Sequence, residues 1–538
     1  MEKPEIKTKK KKSRKALWIV LGAIVLVLGV ASILGIWYYH KITQRPETMF
    51  RYSSETPVPE KTPMAPIFPV SIETTEPDKA PSAEDTPAPA EAHSEPAPQP
   101  SADAEGIENK GILNILLMGI DAYEDGRTTS GSMPHTDTIM VIAINFDQDT
   151  VDLITLPRDT LSKAPGYSGF YKLNGVFNVG LGGKFQTTGK AEDLADGFLL
   201  TSRAAEQWLG GISIPYYYGL DFQAVIDIVD AIGGIDYDVD QRFPSMSGLK
   251  AYGTGMHHLD GDAVMGYLRI RRRADGLDSS RTARQRRMMV AIFKKLKNEG
   301  KLSQIPALIS AANSGIYTNT TLAQTAAIVN YASHLDSDRI RTRAMFGDIG
   351  QIEFVWRFTY VDQQNRLDII REVYGIEAEP VGYCTRQYER WLNSIGFKAM
   401  KHIRQAEKVI KTAHERKEAG EVFTEEQIAL YGDCYRDYIA LYNAFETESA
   451  RLQKLYLENL WREKRGTEKN WTPENKQTNI ELKTLENEIL EQMTELIKNV
   501  EHSTNAFTEA IDCPKCSWYL RQNWFEDPDI NEVDVKFG

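Results

Sequence analysis

The stretch Leu17–Tyr39 (LWIVLGAIVLVLGVASILGIWYY) contains no charged residue. As a helix rising about 1.5 Å per residue it is long enough to cross the ~30 Å hydrocarbon core of a bilayer. Trp18 at one end and Trp37, Tyr38 and Tyr39 at the other suit the two interfaces. The preceding MEKPEIKTKKKKSRKA is densely basic, which under the positive-inside rule keeps that end cytoplasmic. The pattern predicts a single-pass, type II membrane protein. Residues 1–16 form its cytoplasmic tail, residues 17–39 its transmembrane helix, and everything after His40 is extracytoplasmic. A cleaved signal peptide fits less well, because the apolar run exceeds an h-region and no A-x-A-like site follows closely.

Residues 40–107 are rich in Pro, Ala, Glu, Ser and Thr, as in EDTPAPAEAHSEPAPQPSADAE. So few large apolar groups cannot offset the chain entropy of folding, and a disordered spacer is expected. The remaining chain has the length for more than one folded unit. A net charge of -12 argues against nucleic acid as a partner. The four cysteines (Cys384, Cys434, Cys513 and Cys516) lie on the side where disulfides are permitted. Cys513-Pro-Lys-Cys516 has no second CxxC or nearby His pair, so zinc is not expected there.

From Gly111 the pattern is α/β. Ile112–Gly119, Asp137–Phe146 and Val151–Leu156 read as strands, with a tight turn at 147–150. Helices are expected at 173–181, 191–209, 222–232 (N-capped by Asp221), 260–271, 280–297, 322–332 and 363–374. Further strands are expected at 214–220, 235–239 and 340–345. This alternation predicts a layered, mixed sheet flanked by helices over residues 108–378. Over residues 379–538, apolar residues recur at three- and four-residue steps, as in Leu452, Leu455, Tyr456 and Leu460. This predicts an all-α bundle of three long helices at 386–419, 424–463 and 478–508. An up-down-up order brings Cys434 toward Cys513 or Cys516 and leaves Cys384 at the far end.

The α/β region carries carboxylates suited to a cation and arginines suited to phosphate. Asp121 follows the first strand, Asp137 opens the second, and Leu156-Pro157-Arg158-Asp159-Thr160 ends the third. Ends of adjacent strands are where α/β proteins gather ligand groups. Lys172 and Asn174 come next, then Arg269 and Arg271, then Asp278, Arg281 and Gln285. The last three stand at i, i+3 and i+7, on one helix face. Guanidinium groups grip phosphate oxygens in pairs. Several arginines facing one or two carboxylates point to pyrophosphate with Mg²⁺, which takes few carboxylates and completes its shell with phosphate and water. Each piece alone is ordinary: an Asp after a strand is usually a turn residue, and RIRRR is usually a solvated face.

The order LLMGID, DTIM, LPRDT, KLN, FQAVIDIVDAIGGID, HLDGDAVMGYLRIR and D-SSRTARQ, over about Ile112–Gly375, resembles the LytR-CpsA-Psr family. The basic tail and single apolar span match it as well. The resemblance implies an enzyme, a phosphotransferase moving teichoic acid, capsule or a similar glycopolymer from a polyprenyl-pyrophosphate carrier to peptidoglycan in the envelope of a Gram-positive-type bacterium. It implies Asp121 and Asp137 as the Mg²⁺-side carboxylates and Arg158, Arg269, Arg271 and Arg281 as the pyrophosphate clamp. Gln285 would line the site, and Asp278 would orient the arginines or act as a base. It also implies an apolar tunnel for the lipid, with Val176, Phe177, Val179, Phe198, Leu199, Phe222, Val225 and Ile226 as candidates, though each taken singly reads more readily as core. Two departures stand out. The family usually has Arg two residues before the second Asp, where this chain has His135, and Arg127 is the candidate substitute. The family's RQQ-like ending reads Arg284-Gln285-Arg286. The rival readings are a polyprenyl-pyrophosphate hydrolase, which would use the same residues, and a non-enzymatic wall-binding or regulatory protein centred on the helical region.

Overall fold

The computed structural model describes residues 49–52, 63, 65–70, 111–121, 134–167, 169–182, 194–270, 278–302, 305, 315–352, 356–464 and 466–513. The span 17–39, most of the spacer, Arg127, Arg271 and Cys516 lie outside them. Among the described residues no helix is long and apolar enough to cross a membrane.

The first three strands, β1 (Ile112–Ile120), β2 (Thr136–Asn145) and β3 (Thr150–Thr155), form an antiparallel meander. The Asn145 side chain accepts hydrogen bonds from the amides of Asp147 and Gln148 and closes the β2–β3 turn. A small hairpin follows, β4 (Leu161–Lys163) and β5 (Phe170–Lys172), and runs into α1 (Leu173–Leu181) and α2 (Ala195–Trp208). Next are β6 (Tyr216–Leu220), α3 (Phe222–Ala231) and β7 (Ile235–Val239). Two short strands, β8 (Phe243–Pro244) and β9 (Ala251–Tyr252), pair with each other, and β10 (Gly255–Leu259) pairs with β7. The region is completed by α4 (Gly261–Leu268), α5 (Asp278–Asn298), β11 (Ile316–Thr318), α6 (Leu322–His334), β12 (Ile340–Ala344), the hairpin β13 (Gly347–Ile352) and β14 (Trp356–Val361), and α7 (Gln363–Tyr374).

The central sheet has the order β11-β6-β1-β2-β3-β12. Strands β6, β1, β3 and β12 run one way, and β2 and β11 the other. The carboxyl ends of β1, β3 and β6 therefore share an edge with the start of β2. Alternation along β1 divides its side chains between two cores. Leu116, Met118 and Ile120 pack with Val176, Phe177, Phe198 and Trp208 of α1 and α2, while Leu113 and Ile115 pack on the other face with Met140, Ile144 and Tyr216. Val176, Phe177 and Phe198 are fully buried, with the Phe198 ring 4.9 Å from Phe177 and 5.0 Å from Tyr217. Of the tunnel candidates these three are packed core, whereas Val179, Leu199, Val225 and Ile226 are half-buried.

The helical region contains α8 (Arg386–Trp391), a π turn (Leu392–Gly396), α9 (Phe397–Glu418), α10 (Glu425–Glu458) and α11 (Pro473–Ala510). The helix expected over 386–419 is therefore interrupted by the π turn. A Cβ at Gly396 would lie 2.8 Å from the Trp391 ring, so the glycine gives that ring its seat. The second helix stops at Glu458 rather than 463, with Leu460–Glu463 tightening to a 3₁₀ turn. The third starts earlier than expected because Thr472 N-caps it and Pro473 supplies its first residue. One apolar core runs from the sheet through Ile369, Ile370 and Tyr374 of α7 into Tyr388, Trp391, Tyr438 and Phe507.

Two expectations are overturned. The spacer is not uniformly structureless. Phe50 packs edge-on against Tyr216 with centroids 5.3 Å apart, the Arg51 amide donates to the Tyr216 hydroxyl, and Gln324 donates to the Met49 carbonyl. Farther on, Phe68 packs edge-on against Phe423 and Tyr431, and the Ile67 amide donates to the Tyr431 hydroxyl. Composition missed these because each seat is built by residues more than a hundred positions away. Cys434 does not pair with Cys513 either. It is free and buried, its Sγ 3.6 Å from Thr504 Oγ1 on α11, and Cys384 is also free. Cys513 is disulfide-bonded. Cys434 meets α11 at Thr504, about 9 Å short of its last residue Ala510 at helical rise, whereas Cys513 stands beyond that end.

Candidate active site

The shared sheet edge brings the first two carboxylates together. The Asp121 amide donates to the His135 carbonyl (3.1 Å), and the His135 amide donates to Asp121 Oδ1 (2.5 Å). This clamp follows a register irregularity at Gly119/Ile120 and turns Asp121 toward the start of β2. Burial, and then the like charge of Asp137, push the Asp121 carboxyl above its usual range; the His135 amide opposes them.

Asp137 is gripped from two directions. Arg158 Nη1 lies 2.5 Å from Oδ1, and Arg281 Nη1 lies 3.1 Å from Oδ2, with Arg281 Nη2 3.4 Å from the Asp137 carbonyl. Arg158 comes from the turn after β3. That turn is pinned by the amide of Thr160 donating to Pro157, of Leu173 to Thr160, and of Asn174 to Arg158. Arg281 comes from the first turn of α5, and its side chain is only 6% exposed. Asp159 joins the set, with its carboxylate 3.5 Å from Arg158 Nε and 3.0 Å from Lys172 Nζ. Burial disfavours its charge, yet Arg158 and Lys172 together hold the Asp159 carboxyl below the usual range.

Around this cluster lie buried acceptors that take no hydrogen bond from the described residues: Asn174 Oδ1, Asn178 Oδ1 and Gln285 Oε1. Asn178 Nδ2 is 3.1 Å from His135 Nε2. Buried polar atoms left this way call for a ligand or water.

Of the residues singled out from sequence, Asp121, His135, Asp137, Arg158, Lys172, Asn174 and Arg281 gather in this one neighbourhood, and Gln285 follows Arg281 one turn along α5. Arg269 caps α4 in an exposed position, its guanidinium 4.9 Å from the Phe222 ring centroid and Nη1 2.8 Å from Met246 Sδ. Arg271, Arg127 and the side chain of Asp278 lie outside the described residues. Sequence reasoning named Asp159 and Arg284 within their motifs without giving either a role, and passed over Asn178. Asp159 was visible in LPRDT but reads as a turn residue. Asn178 stands one helical turn after Asn174, a spacing that could have flagged it. Arg284 is buried, donates to the Ile270 carbonyl and lies 5.9 Å from the Tyr267 ring centroid, bracing the chain that leaves α4. Among the described residues no three His, Cys, Asp or Glu side chains form a metal-binding group; the two motif carboxylates Asp121 and Asp137 stand together at the sheet edge. The pair fits a cation: burial and mutual repulsion disfavour the charge on Asp121, and a cation would offset both.

The LytR_cpsA_psr family matches residues 75–371. The chain is 27% identical over 227 residues to the polyisoprenyl-teichoic acid–peptidoglycan teichoic acid transferase TagU of Bacillus mycoides (strain KBAB4), covering 41% of this chain and 66% of that one. It is 24% identical over 242 residues to the corresponding TagV of Bacillus subtilis (strain 168), covering 44% and 56%. The chain thus spans 56–66% of the length of these relatives. The crystal structure of B. subtilis TagV aligns with a TM-score of 0.40 at 23% identity, over 50% of this chain and 99% of that one. With a family match over more than half of its 538 residues, and with Asp121, Asp137, Arg158 and Arg281 drawn from the motifs that carry the resemblance, this chain belongs to the LytR_cpsA_psr family.

Proposed function

We propose that this protein is a Mg²⁺-dependent phosphotransferase that moves an anionic glycopolymer, such as a teichoic acid, from a polyprenyl-pyrophosphate carrier to peptidoglycan. In this reading residues 17–39 anchor it in the cell membrane and the α/β region works outside. The observation that carries the proposal is the convergence of Arg158 and Arg281 on Asp137, beside Asp121 and the buried Asn174, Asn178 and Gln285 acceptors. The names of the TagU and TagV relatives support the substrate class.

Asp121 and Asp137 would hold Mg²⁺, which when bound neutralises charge on the pyrophosphate. Arg158 and Arg281 exchange Asp137 for phosphate oxygens as the donor enters, and stabilise charge developing on the leaving phosphate. Lys172 holds Asp159, which in turn steadies Arg158. The amide acceptors Asn174, Asn178 and Gln285 take hydrogen bonds from donor or acceptor hydroxyls. Asp278, one turn ahead of Arg281, orients that arginine or receives the acceptor's proton.

The test is transfer of a labelled polyprenyl-pyrophosphate glycan to peptidoglycan oligomers. A hydrogen bond to a charged oxygen contributes about 1.5–3 kcal/mol, so Arg158→Ala and Arg281→Ala should each slow transfer at least about tenfold. Full activity in the double variant would refute the reading. Label released as free glycan phosphate at the same rate with and without acceptor would favour the hydrolase instead.

A further inference from the structure

The turn that carries Arg158 and Asp159 has no helix or strand of its own, and it is held from outside. The hairpin β4–β5 pairs Leu161 with Lys172, so Lys172 sits where β5 puts it. At the other end of β5, Arg404 of α9 donates from Nη2 to the Phe170 carbonyl at 2.9 Å, and its guanidinium stacks 4.3 Å from the Tyr171 ring centroid. The contact is tight: a Cβ on Gly169, whose φ is +80°, would lie 2.9 Å from Arg404 Nη2 and from Met400 Sδ. Phe170 is further wedged against Tyr383 and Tyr388, at 5.0 and 5.8 Å between centroids.

A second support reaches the same dipeptide by another route. The Thr359 amide on β14 donates to the Asp159 carbonyl at 2.8 Å, and Thr160 bridges to Thr359. Strand β14 pairs with β13, and β13 is fastened to the helices. The Gln351 amide donates to Glu389 Oε1 of α8 (3.0 Å), and Asn393 Nδ2 donates to the Gln351 carbonyl (2.9 Å). An ordinary interface would pack apolar faces and end there. Here two polar arms, starting from different helices, close on one turn.

We propose that the C-terminal helices are a working part of the site, with Arg404 and Glu389 as positioning residues that fix Arg158 and Lys172 through the hairpins β4–β5 and β13–β14. The inference rests on the transferase reading only for its activity readout. A misplacement of about 1 Å in a positioned group can cost about 100-fold in rate, and two supports on one short turn are the means to prevent it.

The experiment uses the full-length chain in lipid discs with Arg404→Met, Glu389→Gln and the double variant. Lys498→Ala serves as control, because its pair with Glu495 is exposed on both sides and lies within α11. Hydrogen exchange over residues 157–174 should rise in the double variant while residues 425–458 keep their protection. The transfer kcat should fall about 10- to 100-fold with KM little changed, and Arg404→Lys, which keeps a donor for Phe170, should recover part of the loss. Unchanged exchange at 157–174 overturns the proposal, and so does raised exchange with wild-type kcat. If the unmutated protein itself transfers nothing, the functional reading falls and exchange alone decides this one. Should the double variant fail to fold, the single variants, each removing one support, carry the same test.

Discussion

Two carboxylates on this sheet each face a pair of arginines, and they differ in kind. Asp152, in mid β3, accepts from Arg341 Nε (2.9 Å) and Arg343 Nε (3.1 Å), both on the neighbouring strand β12, and Arg343 continues to Glu372. Its side chain is 2% exposed. Two acids and two bases close on themselves there and pin an edge strand to the sheet. Asp137 stands where β2 begins and is 23% exposed, and its arginines arrive from a turn and a helix. Beside it Asp121 is kept reluctant to ionise and three buried amide oxygens take no hydrogen bond from the described residues. Charge composition does not separate the two clusters. Position does: a strand end opens onto loops that can admit a ligand, whereas a strand centre opens onto the next strand.

The sharpest way to break this comparison is to make the same change in both places. Asp137→Asn should reduce transfer about 100-fold, equivalent to ~2.7 kcal/mol of barrier, with partial recovery at higher Mg²⁺. Its stability should stay within about 1 kcal/mol, because Arg158 keeps Asp159 and the buried Asp121 is relieved of a neighbouring like charge, which together offset what Arg281 loses. Asp152→Asn should leave kcat nearly intact and lower the stability by about 2–3 kcal/mol, since Arg341 loses its counter-charge and Arg343 is left with the exposed Glu372 alone. Urea unfolding alongside the transfer assay reads both, and the reverse pattern would erase the distinction.

A smaller effect of opposite sign is expected at Asp121. Because its folded pKa is raised above 3.8, its ionised form costs native stability at neutral pH, and that cost disappears as pH falls toward 3.8 and the carboxyl is protonated in both states. Asp121→Asn should therefore raise the melting temperature at pH 7 by about 2–4 °C while impairing transfer, and the gain should shrink on acidification. Asp159 runs the other way: its carboxyl is lowered, so its contribution is present above pH 3.8 and is lost as pH falls through its folded value. A stability gain in Asp121→Asn that persisted undiminished at low pH would contradict this account. The smallest change should come from His135→Arg, which restores the residue usual in the family. The clamp to Asp121 uses only the backbone of residue 135, so kcat/KM should stay within about threefold.

Much of the fold was legible because its signals are local. The apolar run at 112–119, the alternating Ile-Asp-Tyr-Asp-Val at 235–239, the Asp221 cap and the helix at 363–374 need nothing beyond their own neighbours. The assembly of Asp121, Asp137, Arg158 and Arg281 was legible for a related reason, since each sits at an element end and the α/β alternation brings those ends to one edge. What escaped depends on distant partners. GDIGQI did not announce β13, because its pairing with β14 and its hold on Glu389 exist only once the helices have packed. Arg341 and Arg343, on the strand expected at 340–345, showed no common partner until β12 lay beside Asp152. Arg404 is one basic residue among many on its helix until Phe170 and Tyr171 reach it.

The seat of Phe50 on Tyr216 changes the mechanics of attachment. With the proposed anchor ending at Tyr39, a spacer free as far as Gly111 would act as a leash of 72 residues, with a root-mean-square reach of roughly 45–50 Å. Docking at Phe50 leaves at most 11 residues between the proposed anchor and the first seat, a length whose reach as a flexible chain would be about 18 Å, with a limit near 40 Å at full extension. The volume the enzyme can sweep then shrinks roughly 20-fold on the same scaling. Under the proposed function, an enzyme so confined would search a thin layer above its bilayer, where a lipid-borne donor would reside, at a higher local concentration than the long leash would allow.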